Sequence, residues 1–320
     1  MLSRTADHLF WMARYMERAE NTARILDVNV QTSLLSQSKK HNEQGWRGLL
    51  TLSELEAAFT ERHGDISPKA VLDFMVNDST NPGSIYCCVQ AARENARAVR
   101  GTLTTEVWET HNSTWLELQK ILATDVLERD PSEFFEWIKF RSHLSRGVAI
   151  GTMLKDDSFH FTRLGTFLER ADNTARLLDV KFNSMPFTPL PHLQHTDPHA
   201  DYYHWAAVLR SVSAFETYRK VYRDVITPAR VAELLILRGD MPRSLVCSLD
   251  EMSQNLARVR NDYSLDTERR VGKLLADLRY SDIEDILYTG MHAWLTNFLE
   301  RINDLGNRIS EDFLMPVVKR

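Results

Sequence analysis

The chain carries one thirteen-residue stretch twice, first as Met16-Glu17-Arg18-Ala19-Glu20-Asn21-Thr22-Ala23-Arg24-Ile25-Leu26-Asp27-Val28. It returns 152 positions later as Leu168-Glu169-Arg170-Ala171-Asp172-Asn173-Thr174-Ala175-Arg176-Leu177-Leu178-Asp179-Val180, and every difference is conservative. Because core positions exchange freely among similar apolar residues, a polar string shared by both copies indicates a specific polar arrangement that is built twice.

The similarity between the two halves extends well beyond this stretch. Matching positions include His8 with His160, Trp46 with Trp205, Ser67-Pro68 with Thr227-Pro228, Pro82-Gly83-Ser84 with Pro242-Arg243-Ser244, and Asn95 with Asn255. These matches predict an all-α fold, a tandem-duplicated helical bundle whose halves are related by a pseudo-twofold axis. We expect about five helices per half, with residues 1–156 and 157–320 as the two repeats, either separate or joined in one compact domain.

The helix prediction rests on the spacing of apolar residues. Met12, Met16, Ala19, Ala23 and Leu26 recur at steps of three and four, which is typical of a buried stripe on an α-helix. With a cap at Ser3, this first helix is predicted to run to about Ser36.

Proline and hydroxyl residues predict where further helices begin. Ser67-Pro68 and Thr227-Pro228 each place a hydroxyl residue before a proline at the first helical position, and Asn81-Pro82 predicts a similar start. We expect irregular structure over Pro186–Tyr202, as a longer version of a linker at Gln37–Gly45.

Composition excludes several classes of protein. The 320 residues are 43% hydrophobic and 26% charged, which is ordinary for a globular protein. The net charge is −5, and the sequence has no basic stripe that would bind nucleic acid. Arg14, Glu17 and Arg18 interrupt the apolar residues near the N-terminus, so that segment predicts neither a secretory signal nor a membrane span. We therefore expect a cytoplasmic protein with no nucleic-acid or membrane partner, and free thiols at its three cysteines.

A polar edge on the first helix is the main candidate site. Glu17, Asn21 and Arg24 are spaced four and three apart and so share one helix face, which Arg14 extends toward the N-terminus. The second copy repeats the edge with Glu169, Asn173 and Arg176. A long helix that is apolar over most of its circumference lies centrally in a bundle, so part of this edge should be buried and its charges paired.

Two interpretations of this edge stay open. In the first, its charges form ion pairs between packed helices and fix the register of the bundle. In the second, the two edges face each other and line a cleft for an anionic or amino-acid-like ligand, which Arg24 and Arg176 would bind through their guanidinium forks. Glu17 and Glu169 are the candidate acid and base if the site is catalytic. His8 and His160 are expected to be core histidines bonded to backbone or carboxylate groups.

Motifs for cofactors are missing from the sequence. It has no Glu-x-x-His pair for a di-iron centre, no glycine-rich phosphate loop and no nucleophile elbow, so no cofactor is predicted. Weak candidates for metal ligands are His192, His195 and His199 in the proline-rich linker, where a solvated loop is the favoured interpretation.

The string Ser3-Arg4-Thr5-Ala6-Asp7-His8-Leu9-Phe10-Trp11-Met12-Ala13-Arg14-Tyr15-Met16-Glu17-Arg18-Ala19-Glu20-Asn21-Thr22-Ala23-Arg24 resembles the bacterial alpha-E domain proteins. That resemblance covers essentially the whole chain and implies an all-helical fold. Members of that family are typically encoded beside, or fused to, a circularly permuted ATP-grasp ligase, which implies a role in ATP-dependent amide or peptide formation. The resemblance assigns the motif to Arg14, Glu17, Glu20, Asn21 and Arg24, whereas Asp172 replaces Glu20 in the second copy.

Three hypotheses about function follow. The first is a non-catalytic helical partner of an ATP-grasp ligase, which holds an amino-acid or peptide substrate or docks the ligase. The second is an enzyme that uses Glu17 and Glu169 for acid–base chemistry on an amino or amide substrate. The third is a structural scaffold that forms a homo-oligomer through exposed aromatic residues.

Overall fold

A computed structural model describes residues 1–35, 39–183 and 198–315, and this part of the chain is helical without strands. The helices before residue 157 are α1 (Ser3–Leu35), α2 (Lys39–Leu52), α3 (Glu56–His63), α4 (Pro68–Val76), α5 (Ile85–Ala98), α6 (Thr105–Leu122), α7 (Val126–Arg129) and α8 (Pro131–Thr152). Those after it are α9 (Asp157–Asn183), α10 (Pro198–Ser211), α11 (Phe215–Tyr222), α12 (Pro228–Ile236), α13 (Leu245–Arg258), α14 (Leu265–Arg279), α15 (Ile283–Thr289) and α16 (Met291–Ile309), followed by a π-helical turn at Ser310–Leu314.

Helix lengths follow a similar order before and after residue 157. Helices α1 to α8 have 33, 14, 8, 9, 14, 18, 4 and 22 residues. Helices α9 to α16 have 27, 14, 8, 9, 14, 15, 7 and 19. The expectation of about five helices per half therefore fits the long helices only. Short helices such as α3 and α7 carry no long apolar period.

Most of the predicted helix starts are present. Ser67 and Thr227 cap α4 and α12 by accepting from the backbone amides of Ala70 and Arg230. The start predicted at Asn81-Pro82 is wrong: α5 begins at Ile85, because the hydroxyl of Ser84 accepts from the amide of Cys87.

The two expected linkers are shorter than predicted. Helix α2 begins at Lys39 and so includes Gly45, and α10 begins at Pro198 and includes Tyr202. The prediction failed because the mixed composition of both segments carries little periodic signal.

Helices α1 and α9 form the centre of the bundle and pack directly against each other. Helix α1 also packs on α5 and α8, and α9 packs on α13 and α16. The approach is close because α9 has no side chain at Gly165, where an added Cβ would lie only 2.2 Å from the carbonyl oxygen of Phe10.

One hydrophobic core runs through both halves of the chain. Its buried members include Trp46 and Trp205, which are 2% and 1% exposed, together with residues of α1 and α9. No helix in the described ranges combines the length and apolarity that a bilayer span requires.

Candidate functional site

The two copies of the Glu-Arg dipeptide pair with each other across the contact between α1 and α9. Arg170 donates from Nε to Oε1 of Glu17 at 2.9 Å and from Nη2 to Oε2 at 3.0 Å. In the opposite direction, Arg18 donates from Nε to Oε1 of Glu169 at 2.6 Å and from Nη2 to Oε2 at 3.0 Å. Each glutamate thus receives a two-bond guanidinium fork from the other long helix.

Glu17 is enclosed by three guanidinium groups. Besides Arg170, it accepts from Nη1 of Arg146 on α8 at 2.8 Å and from Nη1 of Arg243 at 3.0 Å. Burial would raise the pKa of this carboxyl group, since it is only 1% exposed, but Arg170 and Arg243 outweigh that effect and hold the pKa at about 2. Glu17 is therefore ionised at neutral pH and poorly suited to donate a proton.

Glu20 lies one turn further along α1 and is equally enclosed. Nη2 of Arg243 donates to its Oε1 at 2.5 Å, and Arg24 donates to the same oxygen from Nε and Nη2 at 2.9 and 2.7 Å. Its Oε2 accepts from Arg146 at 2.5 Å and from the hydroxyl of Ser142 at 2.6 Å. Burial opposes ionisation of Glu20, but Arg243, a hydrogen bond from His143 and the other guanidinium groups keep its pKa well below the usual value.

The corresponding positions of the second copy are less enclosed. Glu169 accepts from Nε of Arg14 at 2.8 Å as well as from Arg18, and these two cations lower its pKa against the effect of burial. Asp172 accepts from Nε of Arg176 at 2.8 Å, and Arg176 also donates to Glu54. Burial raises the pKa of Asp172 despite Arg176, which is the opposite of the shift at Glu20.

A polar cleft of about 300 Å³ opens beside this second set of residues. Helix α9 lines it with Glu169, Asp172, Asn173 and Arg176, and α1 lines it with Arg18 and Asn21. Other parts of its wall come from the turns at Glu54 and Gly83. The sequence-predicted edges therefore meet, and they leave accessible space on the side of the second copy.

Two buried polar atoms of the lining residues have no hydrogen-bond partner among the described residues. They are Oδ1 of Asp172 and Nδ2 of Asn21. An unsatisfied buried acceptor or donor costs free energy, and such atoms in a folded protein call for an explanation such as a ligand or a water molecule.

Sequence reasoning missed three residues that complete the first set. Arg146, Ser142 and Arg243 come from α8 and from the turn before α13, and none was marked by the repeated string. The one available signal was the mismatch at Arg243, which aligns with Gly83 within otherwise matching segments.

The repeated histidines make matching contacts of their own. Nδ1 of His8 donates to Oδ1 of Asn95 at 2.8 Å, and Nδ1 of His160 donates to Oδ1 of Asn255 at 2.7 Å. Both partners are side-chain amides, so the expected backbone or carboxylate partner is wrong. The pairs join α1 to α5 and α9 to α13, away from the ion pairs of Glu17 and Glu169.

The side chains of the weak metal candidates lie outside the described part of the structure. His192 and His195 lie outside the described residues, and only the backbone of His199, in α10, lies within them. Across the described ranges no group of histidine, cysteine and acidic side chains is placed to hold a metal ion. Cys87, Cys88 and Cys247 are free thiols.

The sequence matches the Alpha-E family over residues 1–314, and that family is described as "A predicted alpha-helical domain with a conserved ER motif". The chain belongs to the Alpha-E family. Six Glu-Arg dipeptides occur in this Alpha-E sequence. The two at 17–18 and 169–170 are the ones that pair with each other between α1 and α9, so the dipeptide has a physical role in joining these helices.

Similar proteins are known from mycobacteria. The Alpha-E chain is 25% identical to an uncharacterised protein of Mycobacterium bovis and 24% identical to one of Mycobacterium tuberculosis, each over 328 aligned residues. Both matches cover 94% of the chain but only 35% of the relative, so the chain spans about a third of the length of these proteins. No solved structure gave a significant match.

Proposed function

We propose that this Alpha-E chain is a binding domain that holds an amino-acid or peptide ligand in the cleft beside α9 and serves an ATP-grasp-type amide or peptide ligase. The observation that carries the proposal is the cleft of about 300 Å³ that Asp172 helps to line, together with the buried Oδ1 of this residue, which has no partner among the described residues. That volume lies at the small end of the range for ligand sites and suits a ligand of amino-acid size.

The charges of the cleft suit a ligand that carries both signs. Arg18 and Arg176 are partly exposed, with 33% and 21% of their side chains accessible, and both present guanidinium groups to a ligand carboxylate. Asp172 and Asn173 offer acceptor oxygens to a cationic group. A zwitterion satisfies both kinds of partner without changing the charge of the site.

We further infer that the chain is a tandem repeat, with residues 1–156 and 157–320 as related halves about a pseudo-twofold axis. Support comes from the similar order of helix lengths and from contacts that recur with the halves exchanged. Arg24 donates to Ser213 while Arg176 donates to Glu54, and both acceptors have positive φ, at 52° and 58°. In this arrangement the first site is closed by its own guanidinium groups and the second stays open.

The partnership with a ligase rests on the family resemblance. The Alpha-E chain itself has no glycine-rich phosphate loop in its sequence, which is consistent with a division of labour in which the ligase binds ATP. The longer mycobacterial relatives have room for a further domain beside the matched region.

Two alternatives are less well supported. An enzyme that uses Glu17 as a general acid would need a carboxyl group with a raised pKa, whereas ion pairing holds this one at about 2. A dimerising scaffold would use exposed aromatic residues such as Phe140, which is 67% exposed. That alternative assigns no role to the polar cleft.

Calorimetric titration of the chain with a panel of L-amino acids and dipeptides tests ligand binding. Asn173→Leu removes a polar group from the cleft lining and should abolish binding, whereas Gln119→Leu, on the exposed face of α6, should leave it unchanged. Co-purification with the cognate ATP-grasp ligase tests the partnership. A panel without any binder, together with no association at micromolar concentration and unchanged ligase turnover, would overturn the proposal.

A further inference from the structure

The turns before α5 and α13 differ at one informative position. Pro82-Gly83-Ser84 precedes α5 and Pro242-Arg243-Ser244 precedes α13, and in each case the serine caps a 14-residue helix. The two turns thus hold equivalent places beside the long helices, but only the second of them carries a guanidinium group.

Arg243 inserts its guanidinium into the site of the first copy, where it is 5% exposed. Nη1 donates to Oε1 of Glu17 at 3.0 Å and to Oδ1 of Asn21 at 2.8 Å, and Nη2 donates to Oε1 of Glu20 at 2.5 Å. Three acceptors on consecutive turns of α1 therefore form a receptor for one guanidinium.

The same three acceptor positions recur on α9 with no protein guanidinium from the equivalent turn. Glu169, Asp172 and Asn173 stand 152 positions after Glu17, Glu20 and Asn21 and line the open cleft, and Gly83 also lines it. Oδ1 of Asp172 is buried without a partner among the described residues. The side chain that occupies the first site is therefore missing from the second, and the space remains.

We propose that the cleft binds the guanidinium group of an arginine, either as the free amino acid or as a residue of a peptide, in the place that Arg243 takes in the first copy. This inference rests on the proposed ligand site and names its ligand class. Two carboxylates of the first copy, Glu17 and Glu20, are contacted by Arg24, Arg146, Arg170 and Arg243. The second site has the carboxylates of Glu54, Glu169 and Asp172 beside Arg14, Arg18 and Arg176. Its side chains therefore balance in charge. With one more cation bound, the net charge of the second site would still be less positive than that of the first.

A carboxylate–guanidinium contact of this kind discriminates strongly by charge and shape. Citrulline has nearly the shape of arginine but lacks the positive charge, and lysine carries the charge without the planar fork. Both should leave the acceptors of α9 poorly satisfied. We expect each to bind at least tenfold more weakly than arginine.

Titration calorimetry with L-arginine, N-acetyl-L-arginine amide, L-citrulline and L-lysine tests the inference on the whole chain. Gly83→Arg should supply the missing side chain from within and weaken arginine binding at least tenfold. A Cβ at Gly83 meets only Oδ1 of Asn81 at 3.3 Å and Cδ1 of Leu55 at 3.4 Å, so the substitution needs small adjustments. Gly147→Arg adds the same charge at an exposed position of α8, where a Cβ meets no atom within 4 Å, and should leave binding unchanged.

The outcomes separate the two proposals. Binding of arginine but not of its amide derivative identifies the free amino acid, and binding of both identifies a peptide residue. If another amino acid binds and Gly83→Arg displaces it while arginine does not bind, the guanidinium inference is overturned and the ligand site stands. If nothing binds, both fail. Should Gly83→Arg not fold, Asp172→Asn must weaken arginine binding at least tenfold, and unchanged affinity would overturn the inference.

Discussion

Glu17 and Arg170 form a two-bond ion pair between the centres of α1 and α9, with N–O distances of 2.9 and 3.0 Å and with both residues buried. Their neighbours Arg18 and Glu169 form the same pair in the reverse direction. A single dipeptide, used twice, thus supplies both halves of a reciprocal junction. Because Glu17, Arg170 and Glu169 are buried, loss of one partner should matter far more than at the surface.

The stability of the chain should fall in acid because of Glu17. Its pKa is about 2 when folded and about 4.5 when unfolded, so its stabilising contribution is present above about pH 4.5 and is lost as the pH falls toward 2. This shift corresponds to about 3 kcal/mol. In urea unfolding between pH 7 and pH 3, the gap between the parent chain and Glu17→Gln should narrow as the pH falls, whereas parallel curves would refute the assignment.

Glu20 and Asp172 occupy equivalent positions of the repeated string but should respond differently to loss of charge. Glu20→Gln removes the carboxylate that Arg24 and Arg243 share and should lower the free energy of unfolding by about 3 kcal/mol. Burial raises the pKa of Asp172, so at neutral pH its charge costs stability in the folded state. Asp172→Asn should therefore lower the free energy of unfolding by at most about 1 kcal/mol, or raise it. Equal losses in urea denaturation would contradict this difference.

The close approach of α1 and α9 depends on Gly165. A Cβ there would lie 2.2 Å from the carbonyl oxygen of Phe10, so Gly165→Ala must push the backbones apart. Overpacking of this kind costs about 1–3 kcal/mol. Gly147→Ala on α8 meets no atom within 4 Å and should instead stabilise the helix by about 0.5–1 kcal/mol. Thermal denaturation of both variants measures the contrast, and an unaffected Gly165→Ala would contradict the packing.

Much of the fold could be predicted from the sequence because the sequence signals for helices are local. The period of apolar residues predicted a helix from Ser3 to about Ser36, and α1 spans Ser3–Leu35; hydroxyl–proline pairs marked the starts of α4 and α12. Short helices such as α3 and α7 were missed because one or two turns carry no measurable period.

Only part of the candidate site could be predicted from the sequence, for a different reason. The repeated string identified Glu17 and Glu169, but their partners depend on which helices pack together and in which direction. Arg146 and Arg243 come from elements far along the chain, and nothing in a single sequence links them to α1. Gly83 lines the open cleft, whereas the aligned Arg243 contacts Asn21, and the sequence does not show that both turns lie beside the long helices.

The most direct test of the reciprocal junction is a double-mutant cycle on Glu17→Gln and Arg170→Met, measured by urea unfolding at pH 7. We predict a coupling energy of about 2 kcal/mol or more, as found for close, desolvated charge pairs. The cycle on Glu169→Gln and Arg18→Met provides a second measurement if the first variants do not fold. The exposed pair Lys69 and Glu128 should give no measurable coupling. A coupling between Glu17 and Arg170 as small as that of the exposed pair would contradict the account.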